Sequence, residues 1–171
     1  VPRAAADTVL RAWAGLPAWV RAAAPAPSGA PRALCHGDFH LGQLVRLGRE
    51  PDGTPRWLLI DVDDLGAGDP AWDLARPAAW YAAGLLPGGD WDRFLGAYRA
   101  AGGTAAGPPG TDPWPFLDVP ARALTVQTAA LALVKAAAAA RPLDEAEEAV
   151  LAACTRIVGL KPSAGTAEAI G

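Results

Sequence analysis

The sequence predicts an α+β domain, mostly helical, with a small β element ahead of a helical remainder. Two patterns predict it. Short apolar runs flank the turn "EPDGTP" (50–55), whereas from Asp69 to about residue 158 the apolar spacing is helical. A length of 171 residues, 51% hydrophobic and 19% charged, suits one globular domain with a sizeable core. Residues 1–160 are read as that domain and 161–171 as a flexible tail.

Each element has its own signal. "ADTVLRAWAGLPAWVRAAA" (6–24) places Val9, Leu10, Trp13, Leu16 and Val20 near helical spacing, with Pro17 set to kink or end the helix. "PAPSGAPR" (25–32) is a loop by composition. A short apolar run into His36, another at 43–47 and "WLLIDV" (57–62) are strand-like, the last two forming a hairpin around Asp52-Gly53. Asp69 is a fitting N-cap ahead of Pro70, and Pro77 should bend or end the helix that follows. A helix over 90–102, an exposed loop between subdomains over 102–115, and helices over about 118–140 and 144–158 complete the chain. Asp144 or a neighbour caps the last of these, with Gly159 just past its end.

Composition excludes several function classes. A net charge of −3, with no basic run and no aromatic residues interleaved with basic ones, lacks the footprint of a nucleic-acid binder. Cys35 and Cys154 stand in no metal-ligand spacing and suit free, buried thiols in a reducing compartment, so a cytoplasmic location is expected. "AALALVKAAAAA" (129–140) is alanine-rich and interrupted by Lys135, which reads as a buried helix and not a membrane span. No signal peptide opens the sequence. A start at Val1 with no methionine anywhere fits either a trimmed initiator or a piece of a longer polypeptide.

The chemistry is concentrated in "ALCHGDFHLGQ" (33–43), which holds both histidines of the chain around Asp38. Gln43 follows five residues after Asp38, and Asp61 ends an apolar strand about twenty residues later. This spacing can bring three oxygen donors together. Asp61, held at a strand end, and the amide oxygen of Gln43 suit Mg²⁺, a hard ion that takes few protein ligands beside phosphate and water. Asp38 is then left to accept a proton from a substrate hydroxyl, the base role in phosphoryl transfer.

These residues carry a resemblance. "HGDFHLGQ" (36–43), then Ile60-Asp61, then "GDPAWDLA" (68–75), resemble in order the three motifs of the aminoglycoside phosphotransferase and choline kinase-like family. The resemblance implies the C-terminal lobe of a protein-kinase-like fold, with a catalytic loop at 36–43, a metal-binding strand end at 57–64 and a helical subdomain at 69–159. It implies Asp38 as catalytic base, Gln43 and Asp61 as ligands of Mg²⁺ and the nucleotide, and His36 as a brace of the loop. It further implies ATP and Mg²⁺ as cofactors, and a small-molecule hydroxyl acceptor such as an aminoglycoside, a sugar or a similar metabolite. Gln43 stands where the family usually has asparagine. That glutamine is similar to maltokinase-like members and points to a sugar.

Residues 1–35 contain no glycine-rich phosphate loop and no lysine, so the family's nucleotide-clamping N-lobe is absent from them, to be sought on the same original polypeptide. Because phosphoryl transfer depends on positioning and charge stabilisation, very weak or no kinase activity is expected of this chain alone. Two other classes stand beside the kinase reading. One is a non-catalytic remnant or binding module. The other is a metal-dependent phosphohydrolase using His36, Asp38, His40 and Asp61, against which stands the lack of any further histidine.

Other polar and aromatic residues have plainer expectations. Asp69 and Asp73 should be a helix cap and a loop brace. Asp63 and Asp64 either tune the metal site or are solvated turn residues. Trp72, Trp80, Tyr81 and Trp91 fit core positions better than a cleft wall. The acidic run at 144–148 fits a solvated helix face.

Overall fold

A computed structural model describes residues 3–29 and 31–160. Its elements are α1 (Arg3–Ala14), β1 (Ala33–Cys35), β2 (Leu44–Arg49), β3 (Pro55–Leu59), β4 (Gly66–Gly68), α2 (Ala75–Ala83), α3 (Gly88–Ala100), α4 (Trp114–Ala138) and α5 (Glu145–Gly159). Short 3-10 turns lie at Leu41–Gln43 and Pro70–Trp72. The architecture is α+β and mostly helical, as expected; the expected tail at 161–171 lies outside the described residues.

The strands form two separate antiparallel pairs. β2 and β3 make the hairpin around Asp52-Gly53, with Leu44 opposite Leu59 at its open end and an irregularity between Arg46 and Gly48. β1 pairs with β4, Cys35 facing Gly66. That second pair ties the start of the "HGD" loop to the segment beyond Asp61, so both motifs leave from one small β unit.

The helices build two apolar clusters. Trp91, Leu95 and Leu117 anchor the first, with the alanines of α2. Val9, Leu16, Leu133, Val150 and Cys154 anchor the second, between α1, α4 and α5. α4 has the length and composition of a membrane-crossing helix, yet 56% of its most apolar stretch is buried inside the protein, the placement of a core helix. Cys35 and Cys154 are free and buried, as expected.

Four boundaries differ from the sequence reading. α1 stops at Ala14, so Pro17 lies beyond the helix, and residues 17–23 form turns instead of a helical continuation to 24. Pro77 does not end its helix; it sits in the first turn of α2, where an absent N–H leaves no helical bond unmade. α4 begins at Trp114, a turn earlier than expected, with Pro115 in its first turn and Pro120 inside it. The 102–115 loop is exposed over much of its length, as expected, but its middle packs inward. Ala105 and Ala106 are buried in the first cluster, and Arg99 donates to the carbonyls of Ala106, Gly107 and Thr111, giving the loop the partners its backbone needs.

Candidate active site

The loop after β1 is held from outside itself. Asp73 accepts from the backbone N–H groups of both His36 (2.7 Å) and Gly37 (3.0 Å), spending its two carboxylate oxygens on two successive amides. Charge-assisted bonds of this kind are roughly twice as strong as neutral ones. Asp69 caps the turn before it, accepting from the Ala71 N–H at 2.9 Å. Both aspartates thus have the brace and cap roles expected of them.

His36 is 4% exposed, and its Nε2 donates to the Ile60 carbonyl at 2.9 Å, which places the proton on Nε2. It therefore braces the loop against the residue preceding Asp61. Gly37 has φ +90°, and a Cβ there would lie 2.6 Å from the Asp64 carbonyl oxygen, so the glycine lets the loop pass close over the 62–65 turn. His40 has a similar local task. Its Nδ1 accepts from the Gly42 N–H at 2.9 Å, and a side chain at Gly42 would collide with the imidazole.

Asp38 emerges from this frame with its carboxylate half exposed. Arg76 donates from Nη2 to its Oδ1 at 2.7 Å, while Oδ2 lies 3.8 Å from His40 Nε2, beyond hydrogen-bond reach. One oxygen is thereby fixed and the other left open. Arg76 is the site residue that the sequence reading missed. Its position in the first turn of α2, three residues after Asp73, was the available signal.

Gln43 and Asp61 meet at the open end of the hairpin. Gln43 is 6% exposed, sits just before β2, and donates from Nε2 to Asp61 Oδ2 at 2.7 Å. The hydrogen bond from the Ile60 N–H to the Gln43 carbonyl (2.9 Å) closes the pair from the backbone side. Asp61 lies two residues past β3 with φ +59°, a left-handed conformation that aspartate tolerates better than most side chains.

The pair fits a small hard cation. Cis oxygens at about 2.1 Å from an octahedral Mg²⁺ stand about 3 Å apart, close to the separation seen here. Rotating the amide by half a turn, which changes no heavy-atom position, presents Oε1 beside Asp61 Oδ2. Gln43 thus reaches the Asp61 carboxylate from its place just before β2.

The structure does not assemble the four-residue metal shell of a phosphohydrolase. Among the described residues no three His, Cys, Asp or Glu side chains converge to hold a metal. His36 is committed to Ile60 and His40 to Gly42. Asp63 and Asp64 are exposed turn residues. Of the four aromatics expected in the core, Trp91 is fully packed, whereas Tyr81 stacks on it at 5.2 Å and keeps about a third of its surface exposed.

Comparison with known proteins gives one match: the family model described as APH, Phosphotransferase enzyme family, aligns with residues 2–116, more than half of the chain and the whole of the site above. No curated protein and no solved structure matches the chain.

Proposed function

Because the chain belongs to the phosphotransferase enzyme family, we propose that its site serves transfer of the ATP γ-phosphoryl group to a hydroxyl of a small molecule. The acceptor is a sugar, an aminoglycoside or a similar metabolite. The observation that carries the proposal is the pairing of two prepared groups: a half-exposed Asp38 with one oxygen fixed, and Gln43 beside Asp61 at 2.7 Å.

Mg²⁺, when bound, neutralises the phosphate oxygens in a transition state whose catalysis is mostly positioning and electrostatics. The chain's own residues do the rest. Gln43 and Asp61 would hold the ion; Asp38 Oδ2 would accept the hydrogen bond of the acceptor hydroxyl, orient it and take its proton. Arg76 keeps Asp38 in one rotamer. Asp73 and His36 keep the loop backbone from drifting, and a displacement of about 1 Å at a reacting group can cost about 100-fold in rate.

The test is Mg²⁺-dependent nucleotide binding, followed by amide NMR of the full chain. Saturable shifts near Gln43 and Asp61 that need both ADP and Mg²⁺, and vanish in Asp61→Asn, are the expected result. Nucleotide or ligand binding indifferent to Mg²⁺ would favour the non-catalytic binding module. Tight Zn²⁺ or Mn²⁺ binding lost on His40→Ala would favour the phosphohydrolase. With no lysine in residues 1–35 to pair the phosphates, this chain by itself should turn over ATP very weakly or not at all, and robust turnover would refute that expectation.

A further inference from the structure

The imidazole of His40 is only half used. Its Nδ1 accepts from the Gly42 N–H at 2.9 Å, so in the neutral ring the proton is on Nε2. That Nε2 makes no hydrogen bond among the described residues. Across from it, at 3.8 Å, stands Asp38 Oδ2, the oxygen that Arg76 leaves open. Both side chains reach solvent, His40 with 31% and Asp38 with 48% of their surface exposed.

The ring is held in place by its own turn. His40 caps the 3-10 turn Leu41–Gln43, the Gln43 N–H donates to the His40 carbonyl at 3.0 Å, and any side chain at Gly42 would strike the ring at Cε1 and Nδ1. A donor and an acceptor thus stand too far apart for a direct bond and close enough to share one oxygen atom.

We propose that His40 and Asp38 together hold the hydroxyl that receives the phosphoryl group, an acceptor-binding role for His40 that rests on the phosphotransferase reading above. An oxygen at hydrogen-bond distance from both, about 2.7 Å from Oδ2 and about 2.9 Å from Nε2, closes a triangle on the 3.8 Å side with roughly a right angle at the oxygen. A hydroxyl meets both demands: its proton points to Oδ2 and one lone pair accepts from the Nε2 N–H. With one hydrogen bond the hydroxyl could swing about Asp38; two fix the direction of its second lone pair, and positioning is most of what phosphoryl transfer asks of a protein. That lone pair forms the bond to the γ-phosphorus, the bond from phosphorus to the bridging oxygen breaks with its electron pair leaving on ADP, and the hydroxyl proton passes to Asp38.

The pair also selects. An ammonium group has three donors and no lone pair, so it satisfies Asp38 but meets the Nε2 N–H donor to donor. A lone carboxylate would favour the cation; with His40 beside it, the neutral hydroxyl is preferred.

Glycerol is the hydroxyl probe and methylammonium the cation, each titrated into the full chain and read at the His40 imidazole nitrogens by NMR. The parent chain should show the Nε2–H tautomer and a saturable Nε2 shift with glycerol but not with methylammonium. A crystal soaked in glycerol should hold one oxygen within about 3.2 Å of both Nε2 and Oδ2. His40→Asn ends its side chain near the place of Nδ1, so it keeps an acceptor for Gly42 and loses the donor. Glycerol affinity, followed at the Asp38 carboxyl carbon, should then fall by about fivefold or more while the melting temperature changes little. A ring that serves only to cap the turn would leave that affinity as it was. The Nδ1–H tautomer, no saturable glycerol shift, an equal response to methylammonium, a crystal in which the oxygen touches Asp38 but not Nε2, or unchanged affinity in His40→Asn would each overturn the proposal, and all but the last are read on the parent chain. Mg²⁺-dependent ADP shifts at Gln43 and Asp61 are followed in the same samples. Their absence with the glycerol site intact defeats the phosphotransferase reading and the acceptor role with it; their presence without the glycerol site defeats this inference alone.

Discussion

Asp73 and His36, 37 residues apart in sequence, are joined by a 2.7 Å hydrogen bond from the His36 backbone N–H to the Asp73 carboxylate, and Gly37 adds a second bond at 3.0 Å. One side chain thus fixes the backbone just before Asp38. Asp73→Ala leaves two amides without their partner and should cost about 2–4 kcal/mol in urea unfolding. Asp73→Asn, which keeps one acceptor oxygen, should cost clearly less.

Gly37 and Gly53 both have positive φ, +90° and +85°, but only Gly37 is crowded. Alanine at Gly53 meets nothing within 4 Å and should lose only the conformational preference, about 1 kcal/mol. At Gly37 the added Cβ meets the Asp64 carbonyl as well. Gly37→Ala should therefore be the more destabilising by about 1–3 kcal/mol, measured by paired denaturant titrations.

Those two glycines show what the sequence could and could not disclose. Asp52-Gly53 between apolar runs announced its hairpin, because a turn's chemistry is local. Gly37 stood inside a recognisable motif, yet its reason, the approach of the 62–65 turn, is tertiary. The same division runs through the site. That Gln43 and Asp61 come together was legible from residue type and spacing, as were Asp69 and Asp73 as cap and brace. Arg76 was not, since it acts across the fold. Pro77 misled because a proline's effect depends on its place in the helix, and the helix start was set by the 3-10 turn before it. The buried middle of the 102–115 loop escaped notice because Arg99, on another element, supplies its hydrogen bonds.

Replacing Gln43 by glutamate places two carboxylates where an amide now donates to one. Like charges at that distance disfavour both being ionised. Gln43→Glu should lower the melting temperature without added metal and give a larger Mg²⁺-induced rise than the parent chain. Equal responses to Mg²⁺ in the two proteins would argue against these residues as the ion's ligands.

Glu147 closes a capping box with Asp144 at the start of α5. A hydrogen-bonded ion pair with Arg141, then the Asp144 backbone N–H, hold its carboxyl down at about 2, against 4.5 for the free group. A folded pKa below the unfolded one stabilises above the unfolded value and is lost as pH falls through the folded one. The contribution is thus complete at pH 7 and disappears between about pH 5 and 2. Glu147→Gln should be less stable at pH 7 and show a shallower loss over that acid range in urea titrations.

Burial pushes the Cys154 thiol up to about 11, and its side chain is fully enclosed. A thiol without thiolate is a poor nucleophile. Iodoacetamide at pH 8 should leave Cys154 unmodified in the native protein and label it at once in denaturant, as read by peptide mass.

The left-handed backbone at Asp61 has a consequence for how this site is lost over time. Aspartate, asparagine and glycine are the residues that such a conformation admits most readily. Folding therefore exerts little pressure for the charge itself: asparagine there keeps the shape and an oxygen facing Gln43 while removing the carboxylate. A lineage released from its chemistry could shed that charge in a single codon change with its fold intact, and the first mark of such a release would be written at position 61.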